Sequence, residues 1–454
     1  MHHTTLKIIL FLFFIIITSC KKKEITFYHE VESIVHQKCA ICHNQNGAGP
    51  FELITFQDVK KRTSMIHEVI QNNYMPPWPA DPNYRSFSGE KNLTQNEKEI
   101  ILTWIRQGAK KGNKTIQDNQ NYVFNNSDKK QPDLRIGMKQ AYTTNGKNTD
   151  EFLMMKFPFE LKNDTFIKRI EFIPNNKQIV HHVNAHLITY NNGDKKDIFQ
   201  GKNIVNTEIY SDIEAFKKLD ILNDDGTYPL LTPSVSNYLP GSESIQYPKG
   251  IGELKAKQKN IILVNDFHYA PSPYPEKDSS YFNIYFSPTP PERIIQETQL
   301  GTFGISEIHP PLFIPANKIK TFTTKARITN DISLLTINPH MHLLGKSFLA
   351  YAVTLQNDTI PLIKIDDWNF RWQYFYTFKK ILKIPAGSEI IVKAVYDNTI
   401  NNPDNPFSPP KDVQERKNLN GKGSMKTSDE MLQFIINYLP YKNGDEHITL
   451  DQAN

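Results

Sequence analysis

The chain has 454 residues, 39% of them hydrophobic and 11% aromatic, and a length of roughly 150 residues per domain implies about three cores. Its mean hydropathy of -0.51 excludes a multi-spanning membrane protein. The net charge of +5 is spread over 53 basic and 48 acidic side chains with no basic block outside Lys21 to Lys23, so nucleic acid is not an expected partner.

At the N-terminus, Lys7 precedes an apolar run from Ile8 to Ile17, followed by Thr18, Ser19 and Cys20. That is the pattern of an export signal over residues 1–19, and the run is short for a membrane span. Ile17-Thr18-Ser19-Cys20 resembles a bacterial lipobox, which implies that Cys20 becomes the acylated first residue of the mature chain; an uncleaved anchor is the other reading. Either way the body of the protein is expected outside the cytoplasm; on the lipobox reading it sits in the cell envelope, lipid-anchored in a bacterial membrane through acylated Cys20 and facing the periplasm or the exterior, with the bilayer as a partner. The chain has only three cysteines, Cys20, Cys39 and Cys42. No structural disulfide is expected, and the remaining domains rest on their hydrophobic cores.

Residues 20–112 predict a small all-α domain. Thr94 is placed to cap a helix whose apolar side carries Ile100, Ile101, Trp104 and Ile105, and Gly108 is placed to end it. Within this domain Cys39-Ala40-Ile41-Cys42-His43 spaces two thiols for thioether bonds to the two vinyl groups of one haem, with His43 as the proximal iron ligand. A disulfide or a zinc half-site is the competing reading, but zinc needs two further ligands at similar spacing. Met75, in Tyr74-Met75-Pro76-Pro77-Trp78, is the candidate sixth ligand, with Met65 and His67 as competitors; His29 and His36 read as surface histidines. The region resembles a monohaem class of bacterial cytochrome c domains, which implies electron transfer through an iron with two protein ligands.

Residues 113–131 are rich in Asn, Asp and Lys and read as a linker. Beyond it the texture is β. Short branched and aromatic runs at Phe152–Phe159, Phe166–Phe172, Val183–Tyr190, Ile261–Tyr269 and Tyr281–Phe286 predict one all-β unit over 132–287. Further runs at Lys318–Thr329, Leu334–Asn338, Ser347–Gln356, Ile390–Tyr396 and Leu432–Tyr438 predict a second over 288–454. The segment from Phe199 to Ser234 is poorly patterned and reads as an insertion.

The histidines cluster. His340 and His342 alternate, so on one strand they share a face and can clamp one ion. His181 and His182 are adjacent and point apart on a regular strand; they meet one metal only where the strand bends or bulges. His268 stands in an apolar strand. Imidazole suits copper, zinc or iron, whereas a thioether partner favours Cu(I), and Met431 is a candidate for it, although a lone methionine is more often core.

Val180-His181-His182-Val183, Leu263 to Tyr269, Pro339-His340-Met341-His342-Leu343-Leu344-Gly345-Lys346 and Thr427-Ser428-Asp429-Glu430-Met431 together resemble the copper type II, ascorbate-dependent monooxygenases over about residues 132 to 440. The resemblance implies two jelly-roll-like β-sandwich domains with one copper on each. It assigns His181, His182 and His268 to an electron-storing copper, and His340, His342 and Met431 to the catalytic copper that meets O2. Tyr396-Asp397-Asn398-Thr399 is implied to be structural. His186, His309 and Met425 have no place in the pattern, with His186 and Met425 in reserve as ligands. Asn338, Gln433 and Ile435 stand where the family's peptide hydroxylase grips its substrate, which speaks against a C-terminal glycine peptide.

The expected protein is thus a cytochrome c domain followed by two β-sandwich domains, with two copper ions and one covalent haem c, and with ascorbate or another reductant as donor to the haem. It would hydroxylate a C–H bond of a small organic substrate with O2. The rival readings are a non-catalytic haem and copper electron carrier or copper-handling lipoprotein, and a reductase of a small inorganic oxyanion, which needs an open iron position.

Overall fold

A computed structural model describes residues 24–114, 131–242, 244–416 and 429–451. The signal segment, Cys20, most of the linker, Met425, Thr427 and Ser428 lie outside the described residues.

The first unit is helical. A π-helical turn at Phe27–Val31 runs into the helix Glu32–Lys38, followed by Phe56–Lys60, Thr63–Gln71 and Gln95–Arg106. The last of these begins with a capping box: the Thr94 hydroxyl accepts from the Glu97 amide while the Glu97 carboxylate accepts from the Thr94 amide. It ends before Gly108, whose φ of +89° suits only glycine comfortably. Trp104 is fully buried and packs at 5.9 Å from Phe27. His36, expected at the surface, is only 7% exposed, because its Nε2 meets the Ile54 carbonyl at 2.8 Å; His29 is exposed.

Residues 134–287 build a β-sandwich. One sheet orders Leu134–Gly137, Tyr281–Ser287, Thr165–Ile173 and Leu254–Ala256; the other orders Ile204–Asn206, Glu151–Glu160, Lys259–Tyr269, Val180–Tyr190 and Ser236–Tyr238. Leu153, Met155, Phe157 and Phe159 point into the core between the sheets with Phe172, Phe267 and Phe282. Each such side chain contributes about 1.5–3 kcal/mol on burial. Met154, Ile261 and Leu263 point the other way, under Ala215 and Leu219 of the helix Asp212–Leu219. The unpatterned segment 199–234 is therefore the cover of the sandwich's outer face, and this explains why Glu151–Glu160 is buried almost continuously instead of alternately.

A second sandwich follows residues 288–295. Gln296–Gly301, Gln433–Pro440, Ile332–His340 and Tyr376–Ile384 form one sheet; Ile308–His309, Ile319–Arg327, Glu389–Asp397, Gly345–Val353 and Thr359–Ile365 form the other. Its core reaches into the helical unit. Ala80 and Phe87 belong to the same apolar cluster as Phe348 and Phe434, and Trp78 packs against it. Bridges join Ala80 to Ile365 and Phe87 to Phe378, so the chain after Met75 is stitched to the second sandwich. No helix among the described residues is long and apolar enough to cross a membrane.

Candidate metal and cofactor centres

Three imidazoles meet near the start of Val180–Tyr190. Val180 pairs with Tyr269 and His182 with His268, leaving His181 as the extra residue of a bulge, as the sequence required. The bulge turns His181 toward His182, and cross-strand pairing sets His268 beside both. Nδ1 of His182 lies 3.2 Å from Nδ1 of His181 and 3.3 Å from Nδ1 of His268. One ligand atom from each of the three rings falls within 4.8 Å of the others.

The far ring nitrogens are already committed. Nε2 of His182 donates to Oδ2 of Asp266 at 2.8 Å, and Nε2 of His268 donates to Oδ1 of Asp150 at 2.7 Å. A carboxylate on Nε2 sets the tautomer, so the Nδ1 lone pairs of His182 and His268 face each other. Two acceptors at that separation repel, and a cation among the three rings turns the repulsion into coordination. Burial holds His181 well below, and His268 below, the usual imidazole range, which keeps both in the neutral form that metals bind. Burial alone would raise the Asp266 carboxyl, but the His182 imidazole beside it holds it low.

Asp150 and Asp266 were not singled out from the sequence. Asp266 left a signal, standing two residues before His268 on one strand face; Asp150 left none.

The second group differs from expectation in one respect. His340 is the last residue of its strand, paired with Gln433, while His342 lies beyond it in the turn to Gly345–Val353. The pair is thus not an alternating face of one strand, although its ring centroids stand 5.1 Å apart. Glu430 explains the departure. Its carboxylate accepts the amides of His342 at 3.0 Å and Leu344 at 2.7 Å, drawing that turn onto the segment carrying Met431. Nδ1 of His342 donates to the Asp429 carbonyl at 2.6 Å, so Nε2 is the nitrogen left for a ligand. The Tyr396 hydroxyl donates to the Met431 carbonyl at 2.7 Å, a structural role as the resemblance implied. Burial lowers His340 to about 4 and His342 to about 3, and raises the Glu430 carboxyl to about 8.

A cavity of about 480 Å³ lies between the sandwiches, and His182 and Asp266 border it from one side, His340 and Met431 from the other. Asn338, Gln433, Ile435 and Arg416 also line it. The Asn338 amide is spent on the Tyr374 carbonyl at 2.9 Å, and the Gln433 amide on the Thr302 carbonyl at 3.1 Å. Arg416 pairs with Asp212 at 3.1 Å. His186 reaches the cavity wall with Nδ1 on the Thr232 carbonyl, and His309 is exposed.

In the helical unit Cys39 and Cys42 are free thiols. Burial raises the Cys39 thiol to about 12 and also raises Cys42, so both are protonated near neutrality. Nδ1 of His43 donates to the Phe51 carbonyl at 3.0 Å, leaving Nε2 as a lone-pair donor, and burial lowers this imidazole. Gly49 makes room: a Cβ there would stand 2.6 Å from His43 Nδ1. Two thiols and an oriented neutral imidazole are the donors a covalent haem needs. The buried indole N–H of Trp78 has no acceptor among the described residues, a further opening for a group that brings oxygen atoms. Met75 follows the helix Thr63–Gln71, its amide held by the Val69 carbonyl at 3.2 Å, while Met65 is 51% exposed and His67 is partly buried.

Residues 312–405 match the family model of the copper type II ascorbate-dependent monooxygenase, C-terminal domain. The matched span holds His340, His342 and Tyr396 and stops short of Met431. No curated protein matches the chain. The match supports a copper-dependent, monooxygenase-like oxidoreductase that acts on a substrate and O2.

Proposed function

We propose that the chain is a copper monooxygenase that hydroxylates a C–H bond of a small organic substrate, with electrons relayed by a covalent haem c. The observation that carries this reading is the shared cavity: an imidazole of the three-histidine cluster and the His340 and Met431 side chains border one space from opposite sandwiches.

His340, His342 and Met431 would hold the catalytic copper, since two neutral imidazoles and a thioether suit Cu(I). His181, His182 and His268 would hold an electron-storing copper. Bound copper supplies the redox chemistry that activates O2. Around it, the Asp429 carbonyl orients His342, Tyr396 and Glu430 fix the backbone on either side of the ligands, and Asp150 and Asp266 orient the cluster. Phe216, Leu239 and Ile435 give the cavity an apolar wall suited to a hydrocarbon portion of the substrate.

Hydroxylation of R–H by O2 to give ROH and water takes up two electrons and two protons from outside the substrate. Cys39 and Cys42 would carry the haem, His43 and Met75 would hold its iron, and ascorbate or another donor would feed it. Acylated Cys20 would hold the protein in the cell envelope.

The test is oxygen uptake by the copper- and haem-loaded protein across candidate substrates. Copper-dependent uptake stimulated by a substrate supports the reading. Tight copper binding with no such uptake would favour an electron carrier or copper-handling lipoprotein.

A further inference from the structure

The segment Trp372-Gln373-Tyr374 lies between the three-histidine cluster and the Met75 loop, and the Gln373 side chain hydrogen-bonds His340. The Trp372 ring lies 6.3 Å from that of His181 and is stacked on Tyr374 at 6.3 Å with an interplanar angle of 11°. Tyr374 in turn packs at 5.2 Å from Trp78, and its hydroxyl donates to the Pro77 carbonyl at 2.9 Å. It therefore rests directly on the Met75-Pro76-Pro77-Trp78 loop.

The thiol side of the haem motif reaches the same place. A Cβ on Gly241 would stand 2.4 Å from Cys42 Sγ and 3.5 Å from Lys91 Nζ, so both side chains lie against this glycine. Lys91 Nζ is also 4.6 Å from the centre of the Tyr374 ring. Gly241, with a φ of +73°, lets the first sandwich approach Cys42 where any side chain would hold it away. The segment is pinned from below, where the Asn338 side-chain amide donates to the Tyr374 carbonyl.

We propose that Trp372 and Tyr374 form the electron route from the Cys39, Cys42 and His43 centre to the three-histidine centre. The proposal rests on the reading that these centres hold haem and copper. One electron leaves the ferrous haem, which becomes ferric, and reduces Cu(II) at His181, His182 and His268 to Cu(I); no bond breaks and no proton must move. Packed aromatic rings shorten the gaps an electron has to cross, and the route enters the copper through a ligand, His181. Trp372 is only partly buried and Tyr374 is fixed at both ends, so the two have separable roles.

The experiment uses the full chain with haem and copper contents measured first, under argon. The haem is reduced by a light pulse and its re-oxidation by the cupric site is followed at the haem α band, at several protein concentrations to isolate the intramolecular phase. Trp372→Leu is expected to slow this phase by at least an order of magnitude, with the haem potential and the copper paramagnetic resonance spectrum unchanged. Trp372→Phe, which keeps a ring, should stay near the wild-type rate. Tyr374→Leu should slow it too, and Tyr374→Phe should not. If Trp372→Leu and Tyr374→Leu, fully loaded, re-oxidise at the wild-type rate, the route is wrong while the haem relay stands. If the loaded wild type shows no intramolecular phase, or haem or copper is absent, the proposed relay itself fails.

Discussion

Nδ1 of His268 lies 3.3 Å from Nδ1 of His182, although each ring has already given its Nε2 to a carboxylate. Two lone pairs held face to face mark a site organised for a cation. The carboxylates do the organising, so they should matter to affinity almost as the ligands do. Asp266→Asn is expected to weaken copper binding at this centre by about 10–100-fold, read by competition with a chelator, while leaving the second centre intact. Equal affinities in wild type and variant would contradict this.

Acid should destabilise the metal-free protein already in the pH range where free histidines take up protons. His340 and His342 sit at about 4 and about 3 in the folded chain, below the usual imidazole value of 6.5. Below pH 6.5 the unfolded chain takes up protons at these two rings that the folded chain refuses, so the histidine contribution to stability is full above that pH and falls as pH drops. Each buried histidine adds a slope of about 1.4 kcal/mol per pH unit. Thermal unfolding of the apoprotein from pH 7.5 to 5 should show a falling midpoint, and His342→Ala, 3% exposed in the native chain, should flatten the curve. An unchanged pH profile would count against neutral burial.

Glu430 holds two buried amides at once. Glu430→Ala leaves both without an acceptor, at about 1–3 kcal/mol each, and frees the His342 turn from the Met431 segment. Denaturant unfolding should show a loss of about 3 kcal/mol, and copper content should fall by the one equivalent assigned to His340, His342 and Met431. Glu430→Gln should recover part of the stability.

Gly49→Ala tests the haem motif without replacing a ligand. The added methyl would stand 2.6 Å from His43 Nδ1 and would displace the ring or the loop. Haem content per chain should drop sharply by pyridine haemochrome assay, with copper content unchanged.

Legibility followed physical cause. Strands whose faces are both buried, such as Glu151–Glu160 and Lys259–Tyr269, announced themselves as apolar runs. Tyr376–Ile384 did not, because Lys379, Lys380 and Lys383 break its pattern. The bulge at His181 was a geometric requirement before it was an observation. The position of His342 outside its strand was not readable, since Glu430, remote in the chain, sets it. Nor was Asp150, whose partner His268 is remote in the chain, nor the Trp372–Tyr374 pair, whose partners come from the first sandwich and from the helical unit. Local periodicity carries no record of such contacts.

One cavity is expected to separate two copper centres built from different sandwiches. Quantitative paramagnetic resonance with metal analysis on the oxidised, copper-loaded protein tests it most directly. Two type II cupric centres per chain are expected, with one surviving in His340→Ala and the other in His181→Ala. A single copper that persists in both variants, or no bound copper at all, would contradict the account.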